Sequence, residues 1–183
     1  MKKTYLLLFA LATSMLTMNA QDVPKSNESI ASLDKKTSGA CVSIKVNADQ
    51  KTALTVMENL LKKEGLKGKK KGKILLYEKT VFPAIGTDYI NIYVGAVVAN
   101  KDKQNPQTTI NVFVSKGIST DFVGSNTDAQ LITNLKNFLD IKYAPEIYND
   151  NVKKQKEAKQ KEIDKTKNDL DNLNKTLDKR TKD

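Results

Sequence analysis

The sequence contains no histidine and a single cysteine, Cys41. Without histidine, the chain lacks the commonest general base, the usual activator of a nucleophile and the leading nitrogen ligand for metals. One cysteine cannot form an intrachain disulfide or a cysteine-based zinc site. We therefore predict a non-enzymatic protein with no cofactor, no metal and no catalytic residues.

Carboxylates are the remaining route to hydrolysis, because two of them can cleave a glycosidic bond without histidine. The acidic residues of the central region fall on predicted loops and charged helix faces, and their spacing indicates no convergence. A carboxylate-based hydrolase is therefore our third hypothesis.

Arginine is almost absent as well, since Arg180 is the only one among 31 basic residues in a chain of net charge +10. The planar guanidinium of arginine can donate two hydrogen bonds at once to a base or a phosphate, whereas the lysine ammonium is a compact, strongly hydrated charge. We therefore predict no nucleic-acid partner. Anionic lipid, lipopolysaccharide and acidic glycan fit the lysine-based charge better.

Long apolar runs are scarce, and the longest lies at the N-terminus. Lys2 and Lys3 precede an uncharged apolar run at positions 5–16, and Ala20 follows. A basic start, a short hydrophobic run and a small residue at the cut are typical of a secretory signal peptide, and the run is too short to span a bilayer. We predict that residues 1–20 are a signal peptide, removed near Ala20, and that the protein is exported to the periplasm or secreted.

The remaining chain divides into three regions. Residues 21–38 are polar and show no periodicity, which predicts a flexible segment that leads into the domain. We expect regular structure to begin at Ala40. Residues 39–145 alternate strand and helix patterns in the order β-α-β-β-β-α. Residues 146–183 predict a long charged helix. Two helices that each bury one stripe on a mostly antiparallel sheet make a two-layer α+β domain.

The expected helices have amphipathic patterns. In the first, over residues 48–64, Asn47 is the predicted N-cap. The second begins after Ser125 or Thr127 and ends near Tyr143, before Pro145. The strands carry alternating apolar residues over the ranges 42–46, 74–82, 89–99 and 108–115.

A lysine-rich segment connects the first helix to the second strand. Its glycines and charge predict a flexible loop, which either solubilises the protein or attracts an anionic surface such as a membrane. The anionic-surface residues of this hypothesis are Lys67, Lys69, Lys70, Lys71 and Lys73.

The sheet face opposite the helices is the predicted partner-binding surface. Aromatic and amide side chains there suit stacking on a sugar or docking of a protein chain. Its residues are Tyr89, Asn91, Tyr93, Asn111 and Phe113, with Tyr77 as an additional candidate. The alternative is that the chain's own segments, or a second copy, cover this face. Cys41 is expected to point to the same side, partly covered.

Four apolar residues recur at heptad spacing in the charged tail and form a helix seam of little over two heptads. They are Ile163, Leu170, Leu173 and Leu177. This seam predicts pairing with another helix, and a homo-oligomer formed through the tail is one candidate.

Together these patterns indicate an exported, non-enzymatic cell-envelope protein that binds or organises a protein or glycan component of the envelope through the outer sheet face, the tail or both. The alternative is a surface module held electrostatically on anionic lipid, lipopolysaccharide or acidic glycan by the lysine loop and the basic tail.

Overall fold

The computed structural model describes residues 24–102, 105–117, 119 and 121–180, without the side chains of residues 179 and 180. The predicted signal peptide lies outside these residues. The described residues form six strands: β1 (Ser26–Ser32), β2 (Ser38–Val46), β3 (Lys69–Lys71), β4 (Ile74–Val81), β5 (Tyr89–Asn100) and β6 (Gln107–Lys116). They build one antiparallel sheet in the order β1-β2-β6-β5-β4-β3.

The helices are α1 (Gln50–Lys63), α2 (Ser125–Phe138) and α3 (Ala144–Arg180), with a π-helical segment over Leu139–Tyr143. The helices α1 and α2 bury their apolar stripes against one sheet face, which we call the inner face. The predicted stripe of α1 is buried throughout, namely Ala53, Leu54, Met57, Leu60 and Leu61. The two-layer α+β fold is therefore confirmed.

The first helix is capped by an aspartate rather than by the predicted Asn47, and the second begins after Gly124 with an aspartate at a kink in its first turns. In α1 the cap is Asp49, whose carboxylate accepts a hydrogen bond from the Thr52 amide at 3.0 Å. Asn47 instead accepts from Gln107 and Asn151, so it links the helix entry to other elements.

In α2, Asp128 has a non-helical backbone inside the first turns and accepts from the Leu131 amide at 2.9 Å. Neither Ser125 nor Thr127 serves as the cap. Aspartate suits this position because its oxygen satisfies an amide that the helix leaves without a partner.

The predicted flexible lead-in is wrong for residues 26–32, which form β1. This strand pairs with β2 over seven positions, from Ser26 opposite Ile44 to Ser32 opposite Ser38. Its side chains are mostly polar and it lies at the sheet edge, where a strand needs no apolar alternation. Its backbone hydrogen bonds, which a hydropathy pattern does not register, hold it in the sheet.

The lysine-rich segment is not a flexible loop either. Lys69–Lys71 form β3, which pairs with Ile74–Leu76 of β4. Gly72 occupies the first central position of the two-residue turn with φ +62°, which glycine adopts readily and which matches the twist of a hairpin. A short lysine-bearing edge strand also discourages pairing with another chain's edge.

The sequence predicted that the second helix ends near Tyr143, before Pro145, but the chain stays helical past both residues. The helical path continues through the π-helical segment into α3. Proline cannot donate to the i−4 carbonyl, and the wider π turn lies directly before it. Tyr143 fixes this junction, because its buried hydroxyl donates to the Ala53 carbonyl of α1 at 3.0 Å.

Candidate functional site

The five predicted partner-binding residues lie on the same sheet face, opposite α1 and α2, which we call the outer face. In the register of β5 and β6, Tyr93 is opposite Phe113. Asn111 is opposite Gly95, and Asn91 is opposite Ser115. Strand alternation therefore brings the predicted set together, as the sequence pattern requires.

The chain itself covers part of this face. The Phe122 ring lies 4.8 Å from the ring of Phe113 and 5.6 Å from that of Tyr93, measured between centroids. Phe113 is fully buried and Asn111 is 5% exposed. These two residues therefore cannot contact a partner in this structure, which corrects the prediction for them.

The polar groups of the outer face bind one another. The Ser43 hydroxyl donates to the Asn111 side-chain oxygen at 2.7 Å. The hydroxyl oxygens of Ser29 and Ser43 are 2.5 Å apart. The Cys41 thiol is buried on this side, 3.3 Å from the Ser29 hydroxyl. These contacts confirm that Cys41 points away from the inner face.

Asn91 is also committed to internal hydrogen bonds. Its amide nitrogen donates to the Ser115 hydroxyl and to the Gly117 carbonyl, at 3.2 and 3.0 Å. Its amide oxygen accepts from the Lys79 backbone at 2.9 Å. The amides of the predicted surface therefore hold the sheet and its turns together instead of facing solvent.

Five apolar side chains on β4 and β5 remain uncovered or half-covered on the outer face. Tyr89 is 69% exposed and Val97 is 53% exposed, while Val81 is 37% exposed. Cross-strand pairing places Val81 beside Tyr89 and the half-buried Leu76 beside Tyr93. We call this set the outer-face patch: Leu76, Val81, Tyr89, Tyr93 and Val97.

Sequence reasoning did not assign Leu76 and Val81 to this face, because residues 74–77 are a continuous run of apolar side chains without alternation and β4 is irregular beyond them. The pairing register shifts between Tyr77 and Thr80, and Lys79 has φ +47°. On a regular strand, residues 76 and 81 would point to opposite faces of the sheet. The bulge adds one residue to β4, so their side chains lie on the same face.

Tyr77 belongs to the inner face, opposite Ile92, and is 3% exposed. Its assignment to the partner-binding surface was therefore wrong. Burial, with a smaller contribution from the Glu58 carboxylate, raises the pKa of Tyr77 to about 12. The phenol consequently stays protonated at neutral pH.

The five predicted anionic-surface lysines are all exposed around β3 and its turn. Lys69 forms an ion pair with Glu78 at 3.5 Å, and both side chains are more than half exposed. Such a pair contributes little to stability and leaves the hairpin positive.

A groove of about 560 Å³ separates α1 from α3. Its lining mixes both charges, and the Lys63–Glu146 ion pair lies within it. The groove therefore lacks the single sign of charge that would attract an ionic ligand.

The tail helix leaves the domain after Lys154, whose ammonium group contacts the Thr52 hydroxyl at 2.9 Å. Beyond that residue, every described side chain is exposed except the half-buried Ile163. Leu170 and Leu173 are 57% and 67% exposed. The predicted seam is thus accessible to another helix.

No group of three or more Cys, Asp or Glu residues in the described part of the chain is positioned to hold a metal ion. None of the helices over residues 24–180 is both long and apolar enough for a membrane span. In comparisons with known proteins, the chain matches no family model, no curated protein and no solved structure.

Proposed function

We propose that the protein is an exported, non-enzymatic component of the cell envelope that binds another envelope protein through the outer-face patch. The observation that carries this proposal is the contrast within one sheet face. Phe113 and Asn111 of β6 are closed off by Phe122 and by internal hydrogen bonds, and Phe122 also packs on Tyr93, whereas Val81, Tyr89 and Val97 of β4 and β5 are exposed to solvent.

The chemistry of the patch favours a protein partner over a glycan. A sugar is bound through several hydrogen-bonding groups beside the aromatic ring, but Asn91 and Asn111 already have internal partners, which leaves the patch only its two tyrosine hydroxyls. The accessible surface consists of two tyrosine rings and three aliphatic side chains. Large aromatic side chains with few rotatable bonds are enriched where proteins meet.

The scaffold suits recognition because the patch lies on paired strands. Neighbouring strands hold β5 on both sides, and the Asn91 hydrogen bonds fix the adjoining turns. Little conformational entropy is therefore lost at the patch on binding.

Site-specific photocrosslinking in cells tests the proposal. A photoreactive amino acid replaces Val97 in the patch or, as a control, Ile30, which is 84% exposed on β1. We expect a defined protein adduct from position 97 that is lost on adding Tyr89→Ser but kept on adding Ile141→Ser, another exposed apolar site. Equal adducts from both positions, or none from position 97, would contradict the proposal.

Export needs its own test, because the signal peptide remains a prediction. N-terminal sequencing of the protein from the envelope or culture medium should start near Gln21. Recovery of intact Met1 in the cytosol would refute export.

A second candidate function is attachment to an anionic surface through the lysine hairpin. It is supported by four exposed lysines on the β3–β4 hairpin, namely Lys69, Lys70, Lys71 and Lys73, and by the exposed Lys67 just before it. Each lysine near an anionic membrane contributes about 1 kcal/mol. Binding to vesicles containing anionic lipid should then fall steeply with added salt, and salt-insensitive binding would exclude this mode.

A further inference from the structure

We infer that α3 pairs in parallel with α3 of a second copy of this chain, forming a short two-stranded coiled coil over residues 163–177. This inference is independent of the outer-face patch. It depends on the heptad positions, the charges beside them and the position of the seam relative to the domain.

The seam has the two alternating layer types of a coiled coil. Ile163, Leu170 and Leu177 occupy a positions, and Thr166 and Leu173 occupy d positions three residues later. The Thr166 hydroxyl donates to the Glu162 carbonyl of its own helix at 2.9 Å. It therefore needs no partner across the interface, and its methyl group is free to pack.

The flanking charges select a second copy in parallel orientation. In a parallel pair, each g residue lies near the e residue of the following heptad in the other helix. Glu162 is at g and Lys167 is at e, so they form two attractive pairs across the dimer. Asp169 and Asn174, the next such pair, introduce no repulsion. In an antiparallel pair, g faces g and e faces e, and no opposite charges would meet.

The heptad pattern also ends before α3 reaches the domain, which leaves room for the two domains of a dimer. Extending the heptads towards the domain places Lys156 at a and Lys159 at d. Their mutual repulsion in a parallel dimer ends the pairing before the domains. Ile163 lies about 14 Å along the helix from Lys154, the last residue with a described domain contact.

The direction of the seam keeps the two domains apart. Ile147, Asn151 and Lys154 are among the residues of α3 that contact the domain. At about 100° per residue, the centre of the seam is rotated roughly a third of a turn around the helix axis from these contacts. Under two-fold symmetry, the domains consequently lie on opposite sides of the coiled coil.

The exposed helix itself supports pairing. Residues 155–176 extend for about 33 Å with no described contact to the domain. A helix that is polar around most of its circumference gains little from tertiary packing. Pairing buries the few apolar side chains that it has.

Sedimentation equilibrium of the mature chain, from micromolar to millimolar concentration, tests the dimer. The double variant Leu170→Asp/Leu173→Asp should raise the dissociation constant at least about 100-fold, because each helix would then bury two unpaired carboxylates. The matched control Asn168→Asp/Asn172→Asp adds the same charges at f and c positions and should change it less than about threefold. A monomer at every concentration, or equal effects of both variants, would overturn the inference.

Disulfide trapping tests the orientation. In a Cys41→Ser background, Thr166→Cys should give a covalent dimer on mild oxidation, since d residues face each other in a parallel pair. In an antiparallel pair centred between Leu170 and Leu173, the two copies of residue 166 would lie about 16 Å apart along the coiled-coil axis. No trapped dimer at concentrations where the chain sediments as a dimer would refute the parallel arrangement.

A charge exchange adds an independent measurement. Lys167→Glu alone should weaken the dimer, and Glu162→Lys in the same chain should restore it. Failure of the second change to restore the affinity would contradict the assigned flanking pair.

Discussion

Truncation of Phe122 should destabilise the domain and uncover the outer face. This side chain follows β6, and the neighbouring Val123 amide donates to the Val114 carbonyl at 2.8 Å, which ties the segment to the sheet. The ring packs on Phe113 and Tyr93 and also on the backbone of Gly39, where an added Cβ would lie 2.7 Å from the ring. We expect Phe122→Ala to remove all three contacts.

The magnitude follows from partial burial. Removing a fully buried phenylalanine costs about 3–5 kcal/mol, and Phe122 is only half-buried, so we expect about 2 kcal/mol. Two aromatic pairs of about 0.5–1.5 kcal/mol each give a similar figure. For a domain of this size, that loss lowers the Tm by roughly 8 °C.

Thermal unfolding followed by circular dichroism measures this change. Phe122→Leu is the matched control, because it keeps most of the apolar area and should cost less than about 1.5 kcal/mol. Phe122→Ala should also increase binding of a hydrophobic dye, since Phe113 becomes accessible. A Tm within about 2 °C of the parent protein would refute the reasoning that Phe122 closes this face.

Two further predictions concern the contacts that hold the helices. Tyr143→Phe removes the buried hydrogen bond to Ala53 and should lower the free energy of unfolding by about 1 kcal/mol, measured by urea titration. An unchanged value would show that this bond does not stabilise the junction. The Lys116 ammonium group, followed by the Leu131 amide, holds the pKa of Asp128 below its ordinary value of 3.8. The stabilisation from Asp128 is therefore present above that value and is lost as the pH falls through the lower folded-state pKa. Between pH 5 and pH 2, urea titrations should show a smaller acid-dependent loss for Asp128→Asn than for the parent protein; identical losses would contradict the assignment.

The sequence by itself determined the fold class and the inner face. Alternating apolar residues in β2, β5 and β6, and the stripe of α1, identify their buried sides, because a strand repeats every two residues and a helix every 3.6. The same periodicity placed Tyr89, Asn91 and Tyr93 on the outer face and identified the heptad seam. Each of these features is a local repeat.

Only the tertiary structure decided which outer-face residues are accessible. Phe122 covers Phe113 from a segment without periodicity, and a bulge in β4 moves Val81 beside Tyr89. Polar β1 joins the sheet through its backbone, which carries no residue-specific pattern. Burial of a given position depends on what the rest of the chain places above it, and periodicity reports only the direction in which a side chain points.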